Sequence, residues 1–258
     1  MERKMFGFSF INCKELGSFT QGPSNRVFKV IEIPYNMTKD IRAMQFPQII
    51  TASTLHIRRL VESSVSRTIT EHREPLAKSF ITHFNAAMQL TGSGIASATL
   101  DFGIERAFTN PQLRANLIQF IKRLAPAIIP APFPVLLPVR IPFYANEQGR
   151  DYAIFLRDLV ISNCAFSLDI HPHELAGQTF SPASFLRPLR FDIGLIRFIY
   201  EPAIGNRLVE KVLEPWLKYL QEIEYRGDII FCPASGDHEI FEREYANLTK
   251  LSTKLNYS

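Results

Sequence analysis

The chain is poor in cysteine and tryptophan, and its charges are not gathered into blocks. Of 258 residues only three are Cys and one is Trp. Cys13, Cys164 and Cys232 are odd in number, far apart and without a CxxC pair. That argues against a disulfide framework and a cysteine-built zinc site, and points to a reducing, cytoplasmic compartment. Against 29 Lys and Arg stand 25 Asp and Glu, a net charge of +4. The nearest thing to a basic cluster, Arg58 and Arg59 followed by Arg67 and Arg73, falls at surface positions of an expected helix. The surface therefore reads as mildly basic and solvated, without the clustered bases of a nucleic-acid groove. Unbroken apolar runs are missing too. The most apolar stretch, AIIPAPFPVLLPVRIPF from Ala127, is interrupted by prolines and carries Arg140, which excludes a membrane-spanning helix there. The opening MERKMFGFSFINC lacks a small-residue cleavage pattern and blends into the first expected strand, so it does not read as a signal peptide. A Gly-rich dinucleotide fingerprint, a P-loop, a nucleophile elbow and an HExxH helix are all absent.

What is present is a strand-then-helix rhythm repeated about eight times. The expected strands are FGFSFIN from Phe6, FKVIEIP from Phe28, QIITASTLHI from Gln48 and IASATLDFG from Ile95. They continue with PVLLPVRIP from Pro134, CAFSLDIHPHE from Cys164, LIRFIYEP from Leu195 and GDIIFCP from Gly227. Between them lie helical patterns. Residues 58–91 carry an amphipathic repeat that Pro75 divides. Asn110-Pro111 is an N-cap followed by Pro at the first helical position, opening PQLRANLIQFIKRLAPAI. DYAIFLRDLVI from Asp151, RLVEKVLEPWLKYLQEIEY from Arg207 and HEIFEREYANLTKLSTKL from His238 supply further helices. Pro215 predicts a kink or second start in the penultimate one. Pro138 removes a ladder donor, so the fifth strand is expected to be irregular or bulged. The length suits one α/β domain spanning residues 1–258, because a closed (β/α)8 TIM barrel takes about 250 residues.

In such a barrel the active site lies at the C-terminal ends of the strands, and several expected strands end in a polar or ionisable residue. Asn12, Glu32, His56, Asp101, Arg140, Asp169 and Glu201 hold those positions. On this basis Glu32, His56, Asp101, Arg140 and Asp169 are expected at one rim. LDIHPHE is the richest string, with Asp169, His171, His173 and Glu174 together. Residues two apart on a strand share a face, although Pro172 argues for a turn. Three readings stand open: a weak divalent metal on Asp169 and His171, a metal-free acid/base or substrate site, and an Asp169–Arg140 ion pair beside solvated histidines. Arg140 and Arg197 are candidates to clamp a carboxylate or phosphate. Gly205-Asn206 and Ser235-Gly236 sit where barrels commonly bind phosphate.

FKVIEIP, FSLDIHPHE and EKVLEPWLKYLQEIEYRGDIIFCP, in that order and spacing, resemble the xylose isomerase-like superfamily of sugar isomerases, sugar-phosphate epimerases and endonuclease IV-type enzymes. The resemblance runs over essentially the whole chain. It implies a metal held by Glu, Asp, His and Glu from strands five to eight, and metal-assisted proton transfer next to a carbonyl. Only Asp169 matches that set. The strand-five position falls near Arg140, the strand-seven position near Phe198 or Tyr200, and the strand-eight position near Cys232. An Arg where a carboxylate belongs repels a cation. The expectation is a divergent sugar or sugar-phosphate isomerase or epimerase with a degenerate metal site and no tightly bound cofactor; weak binding of Mn²⁺, Mg²⁺ or Zn²⁺ stays open. Asp169 and His171 are its catalytic candidates. Glu32, His56, Asp101, Arg140, Arg197 and Glu201 are its candidates for binding a small polyhydroxylated ligand. The rival expectation is a metal-independent or non-catalytic barrel that binds a small molecule or a protein. The many-metal site of an endonuclease is not supplied, and homo-oligomerisation is left open.

Overall fold

The computed structural model describes residues 6–9, 30–35, 54–58, 60, 78, 81–82, 84–85, 88, 95–140, 147–171, 192–199, 206–232 and a scatter of helical positions between 243 and 254. Eight parallel strands close into a barrel in sequence order: β1 (Phe6–Ser9), β2 (Val30–Pro34), β3 (Thr54–Arg58), β4 (Ile95–Thr99), β5 (Val135–Arg140), β6 (Cys164–Ile170), β7 (Ile193–Ile199) and β8 (Asp228–Cys232). Pairing of β1 with β8 completes the ring. Helices α1 (Ile104–Phe108), α2 (Pro111–Ile128), α3 (Glu147–Arg157) and α4 (Asn206–Glu222) lie between strands.

Alternation along each strand builds two cores. One face turns outward to the helices: Ile31 and Ile33, Leu55 and Ile57, Leu137 and Val139, Phe166 and Leu168, Ile229 and Phe231 belong to the large outer cluster. It takes in the buried stripe of α2, formed by Leu117, Phe120, Ile121, Leu124 and Ile128. Leu213, Trp216, Leu217 and Leu220 of α4 join it at helical spacing. The other face turns into the barrel, where Val30, Leu136, Leu195, Ile230 and Cys232 pack together. Asn110 caps α2 as its sequence requires. Its Oδ1 accepts from the backbone N–H groups of Gln112 and Leu113 at 3.0 and 3.1 Å, a cap worth about 1 kcal/mol. The α4 helix runs through Pro215 without interruption.

Two expectations are corrected here. Arg58 is the last residue of β3, not part of a surface helix. And β5 is regular through Pro138, in unbroken register with β6 from Val135↔Cys164 to Arg140↔Asp169. In a parallel strand the N–H and C=O of one residue point to the same neighbour. The carbonyls of Pro134 and Leu136 accept from Ala98 and Leu100, so the even residues of β5 face β4. β4 ends at Thr99, and β4 and β5 pair only at Ala98↔Val135 and Thr99↔Leu136. The donor that Pro138 lacks would have pointed past the end of that ladder. The next N–H on the same edge, of Arg140, is taken by the Glu105 carboxylate at 2.7 Å.

The irregularities lie elsewhere. Leu55 pairs with Ile95 but His56 pairs with Ser97, so β4 carries Ala96 as an extra residue. Phe166 pairs with Ile193 but Ser167 pairs with Leu195, so β7 carries Gly194 as an extra residue. Each bulge switches the inward parity of its strand. Ile193 belongs to the outer core. Two residues on, past the bulge, Leu195 belongs to the inner one.

Candidate functional site

Above the apolar inner layer the barrel interior is polar, and Arg197 of β7 organises it. Its Nε donates to Asp169 Oδ1 at 2.7 Å and its Nη2 to Asp169 Oδ2 at 3.0 Å. Nη2 also donates to Ser167 Oγ at 3.3 Å, and Nη1 to Glu32 Oε1 at 3.1 Å. The guanidinium thus spans from β6 to β2 across the interior. Glu32 is wholly buried and Arg197 is 4% exposed. Burial works against the Arg197 charge, but Asp169 and Glu32 outweigh it and hold the group protonated. Burial pushes the Asp169 carboxyl up from its ordinary range while the Arg197 charge pulls it back. Cys232, ending β8, approaches Glu32 Oε2 at 4.0 Å. Burial, with Glu32 beside it, pushes that thiol up to about 12.

Over this cluster opens a cavity of about 120 Å³ lined by Arg58, Thr99, Asp101, Pro138, Asp169, Arg197, Ile199 and Cys232. Asp101, Arg58, Ile199 and Cys232 lie at or just beyond strand C-termini, so this is the barrel mouth. Asp101 Oδ1 accepts from the Gly103 N–H at 3.0 Å, and Gly103 sits at φ 65°. That turn starts α1 and holds the carboxylate in place. α1 in turn presents Glu105, whose carboxyl burial pushes above its ordinary range against the pull of the Arg140 N–H.

The residues singled out in the sequence separate into groups. Asp101, Asp169 and Arg197 converge on the cavity. Glu32 lies beneath it, on Arg197. Arg140 closes β5, exposed, in register with Asp169. The expected Asp169–Arg140 pair gives way to Asp169–Arg197. The bulge at Gly194 puts Arg197 in register with Asp169, and both oxygens of the carboxylate accept from it. His171 is half-buried and follows directly on β6. Glu201, His173, Glu174 and the Ser235-Gly236 pair lie outside the described residues, as does the Tyr200 position. His56 is not at the rim. Its Nδ1 bonds Ser97 Oγ at 2.7 Å and its Nε2 bonds Asp228 Oδ2 at 2.9 Å. Asp228 opens β8 whereas Cys232 closes it, so this chain of bonds lies toward the N-terminal end of the barrel. Sequence reasoning missed Arg58, Thr99, Ser167 and Asp228. For Arg58 the signal was there: it is two residues beyond His56 and shares its face.

The divalent ion implied by the resemblance does not fit these residues. Both Asp169 oxygens and one Glu32 oxygen accept from Arg197. A fixed positive charge therefore occupies the space between the carboxylates. Among the described residues no group of three or more His, Cys, Asp or Glu side chains is placed to hold a metal. Also among them, no helix is long and apolar enough to cross a membrane.

No protein-family model matches the chain, and no curated protein matches it in sequence. Solved structures do match. A D-psicose 3-epimerase determined in the presence of D-fructose is 12% identical and superposes with a TM-score of 0.67 over 97% of this chain and 99% of its own. A D-tagatose 3-epimerase-like protein is 14% identical, with a TM-score of 0.63 and 98% of each chain covered. The 3-keto-D-glucoside 4-epimerase of E. coli is 13% identical, with a TM-score of 0.61 over 97% of this chain and all (100%) of its own. At such identities the likeness is one of fold. The chain has the closed (β/α)8 barrel fold that these structures share.

Proposed function

We propose that the chain is a sugar isomerase- or epimerase-like protein that takes a small polyhydroxylated ligand in the barrel-mouth cavity, with the family's metal centre degenerate. The observation that carries this reading is the cavity lining: Arg58, Thr99, Asp101, Asp169 and Arg197 around Pro138, Ile199 and Cys232. A sugar hydroxyl both donates and accepts, and suits a wall where carboxylates and guanidinium groups alternate. The apolar members suit the C–H faces of such a ligand. Asp169 and His171 are the groups we assign to proton transfer, and Asp101, Glu32, Arg140, Arg197 and Glu201 to the ligand side. His56, bonded away from the mouth, is withdrawn from that set.

The rival reading, a metal-independent barrel that binds without catalysis, is favoured by one specific observation. Arg197 occupies both oxygens of Asp169 and so competes for the lone pairs a general base must offer. Two measurements test these readings. Calorimetry with a panel of ketopentoses, ketohexoses and their phosphates should give saturable binding that Asp101→Asn weakens. Incubating the bound sugar in D₂O and following its C–H signals by NMR separates the readings: deuterium entering next to the carbonyl supports the isomerase. Binding without exchange supports the binder. Binding by no member of the panel removes the polyhydroxylated ligand altogether.

A further inference from the structure

We infer that Arg197 is the site's built-in cation: its guanidinium brings the positive charge that a divalent metal on Asp169 would bring, bridges Asp169 to Glu32, and presents a hydrogen-bond donor to an oxygen of the bound ligand. This rests on the mouth being the ligand site, as proposed above.

A wholly buried Glu32 and an Asp169 with 18% side-chain exposure face one interior from opposite sides of the barrel. Two ionised carboxylates so placed repel one another and are stabilised by a positive charge between them. The chain supplies it from within, and the supply is structurally specified. Gly194 bulges β7 so that Arg197 comes into register with Asp169, whereas without the bulge the apolar Ile196 would stand there instead. Ser167 on β6 adds a neutral acceptor for Nη2.

The donor count then says what is left over. A guanidinium has five N–H bonds. Asp169, Ser167 and Glu32 take four of them: Nε, both hydrogens of Nη2 and one of Nη1. The second Nη1 hydrogen has no acceptor among the described residues, and Arg197 lines the cavity. That hydrogen is a charged donor held rigid by four bonds, suited to a carbonyl, hydroxyl or carboxylate oxygen. Arg197 is thus a ligand-binding residue, and it also positions Asp169.

The test separates this inference from the reading beneath it by using small cations, not sugars, as the probe. Wild-type protein, stripped with chelator, should show no saturable heat with Mn²⁺ or Zn²⁺, and millimolar methylguanidinium should not raise its melting temperature. Arg197→Ala should melt lower than wild type, and millimolar methylguanidinium, which returns a forked cation to Asp169 and Glu32, should raise its melting temperature. Methylammonium, a charge without the fork, should do so less. Asp169→Asn added to Arg197→Ala should abolish the rescue. If Arg197→Ala folds only in part, refolding yield with methylguanidinium against buffer gives the same readout. Asp169-dependent metal binding by wild type would overturn the inference, and so would an Arg197→Ala protein whose stability methylguanidinium does not raise. Either outcome leaves sugar binding by wild type to be judged separately.

Discussion

Arg197 reaches Asp169 because β7 carries one residue, Gly194, that β6 does not match. Past that bulge the register runs Ser167↔Leu195 and Asp169↔Arg197, and the pair closes with two bonds of 2.7 and 3.0 Å. A Cβ built on Gly194 would come within 2.9 Å of Leu136 Cδ2, a side chain of the packed barrel interior. Gly194→Val should therefore destabilise the protein by roughly 1–3 kcal/mol through overpacking, and Gly194→Ala by less. Urea unfolding measures both; a Gly194→Val midpoint equal to wild type would show that the bulge tolerates a side chain.

Removing either partner of the buried ion pair should cost unequally. Arg197→Met leaves Glu32 and Asp169 in the interior without their cation, a loss of about 3–5 kcal/mol. Asp169→Asn preserves shape and leaves Arg197 its bond to Glu32, so the loss should be about 1–3 kcal/mol. The deficit of Arg197→Met should shrink in acid, where the stranded carboxylates take up protons. Denaturation at neutral and acid pH checks the order, and an Asp169→Asn protein less stable than Arg197→Met contradicts it.

Glu105 gives a pH signature. Burial raises its folded-state pKa above the ordinary 4.5. Between 4.5 and that raised value the folded protein binds more protons than the unfolded chain, so stability falls as pH rises through the window. Glu105→Gln keeps an Oε1 for the Arg140 N–H and removes the ionisation. Its stability relative to wild type should grow from about pH 4 toward neutrality and then level. Curves that stay parallel would mean the Glu105 carboxyl is not held up by its surroundings.

His56 should matter to the fold and not to the ligand. His56→Leu strands Ser97 and Asp228, at a cost of about 1–3 kcal/mol. Sugar affinity at the mouth should be unchanged, because the His56 bonds lie toward the N-terminal end of the barrel. Calorimetry on the folded variant decides; a large loss of affinity would return His56 to the binding set.

Burial holds the Cys164 and Cys232 thiols at about 12, so neither should be a thiolate near neutrality. Mass spectrometry after brief alkylation of native protein should find both unmodified, and both modified once guanidinium unfolds the chain. Rapid native labelling of Cys232 would show that its thiol is reachable and ionised from the cavity.

By itself the sequence determined the barrel. The eight strand positions and the α2 helix over Pro111–Ile128 with its Asn110 cap follow from hydrophobic period and turn chemistry, which are local properties. It also placed Asp101, Asp169 and Arg197 near strand ends, where this fold keeps its sites. Their partnerships were decided only by the closed tertiary structure. The bulges at Ala96 and Gly194 shift parity without a mark in the hydrophobic pattern, and each flips every later side chain of its strand. Gly194 thereby gave Asp169 to Arg197 instead of Arg140. The Ala96 bulge set Ser97 opposite His56, which bonds Asp228 from 172 residues away. Contacts across a barrel depend on strand stagger and closure, and a linear sequence carries those only through the packing they produce.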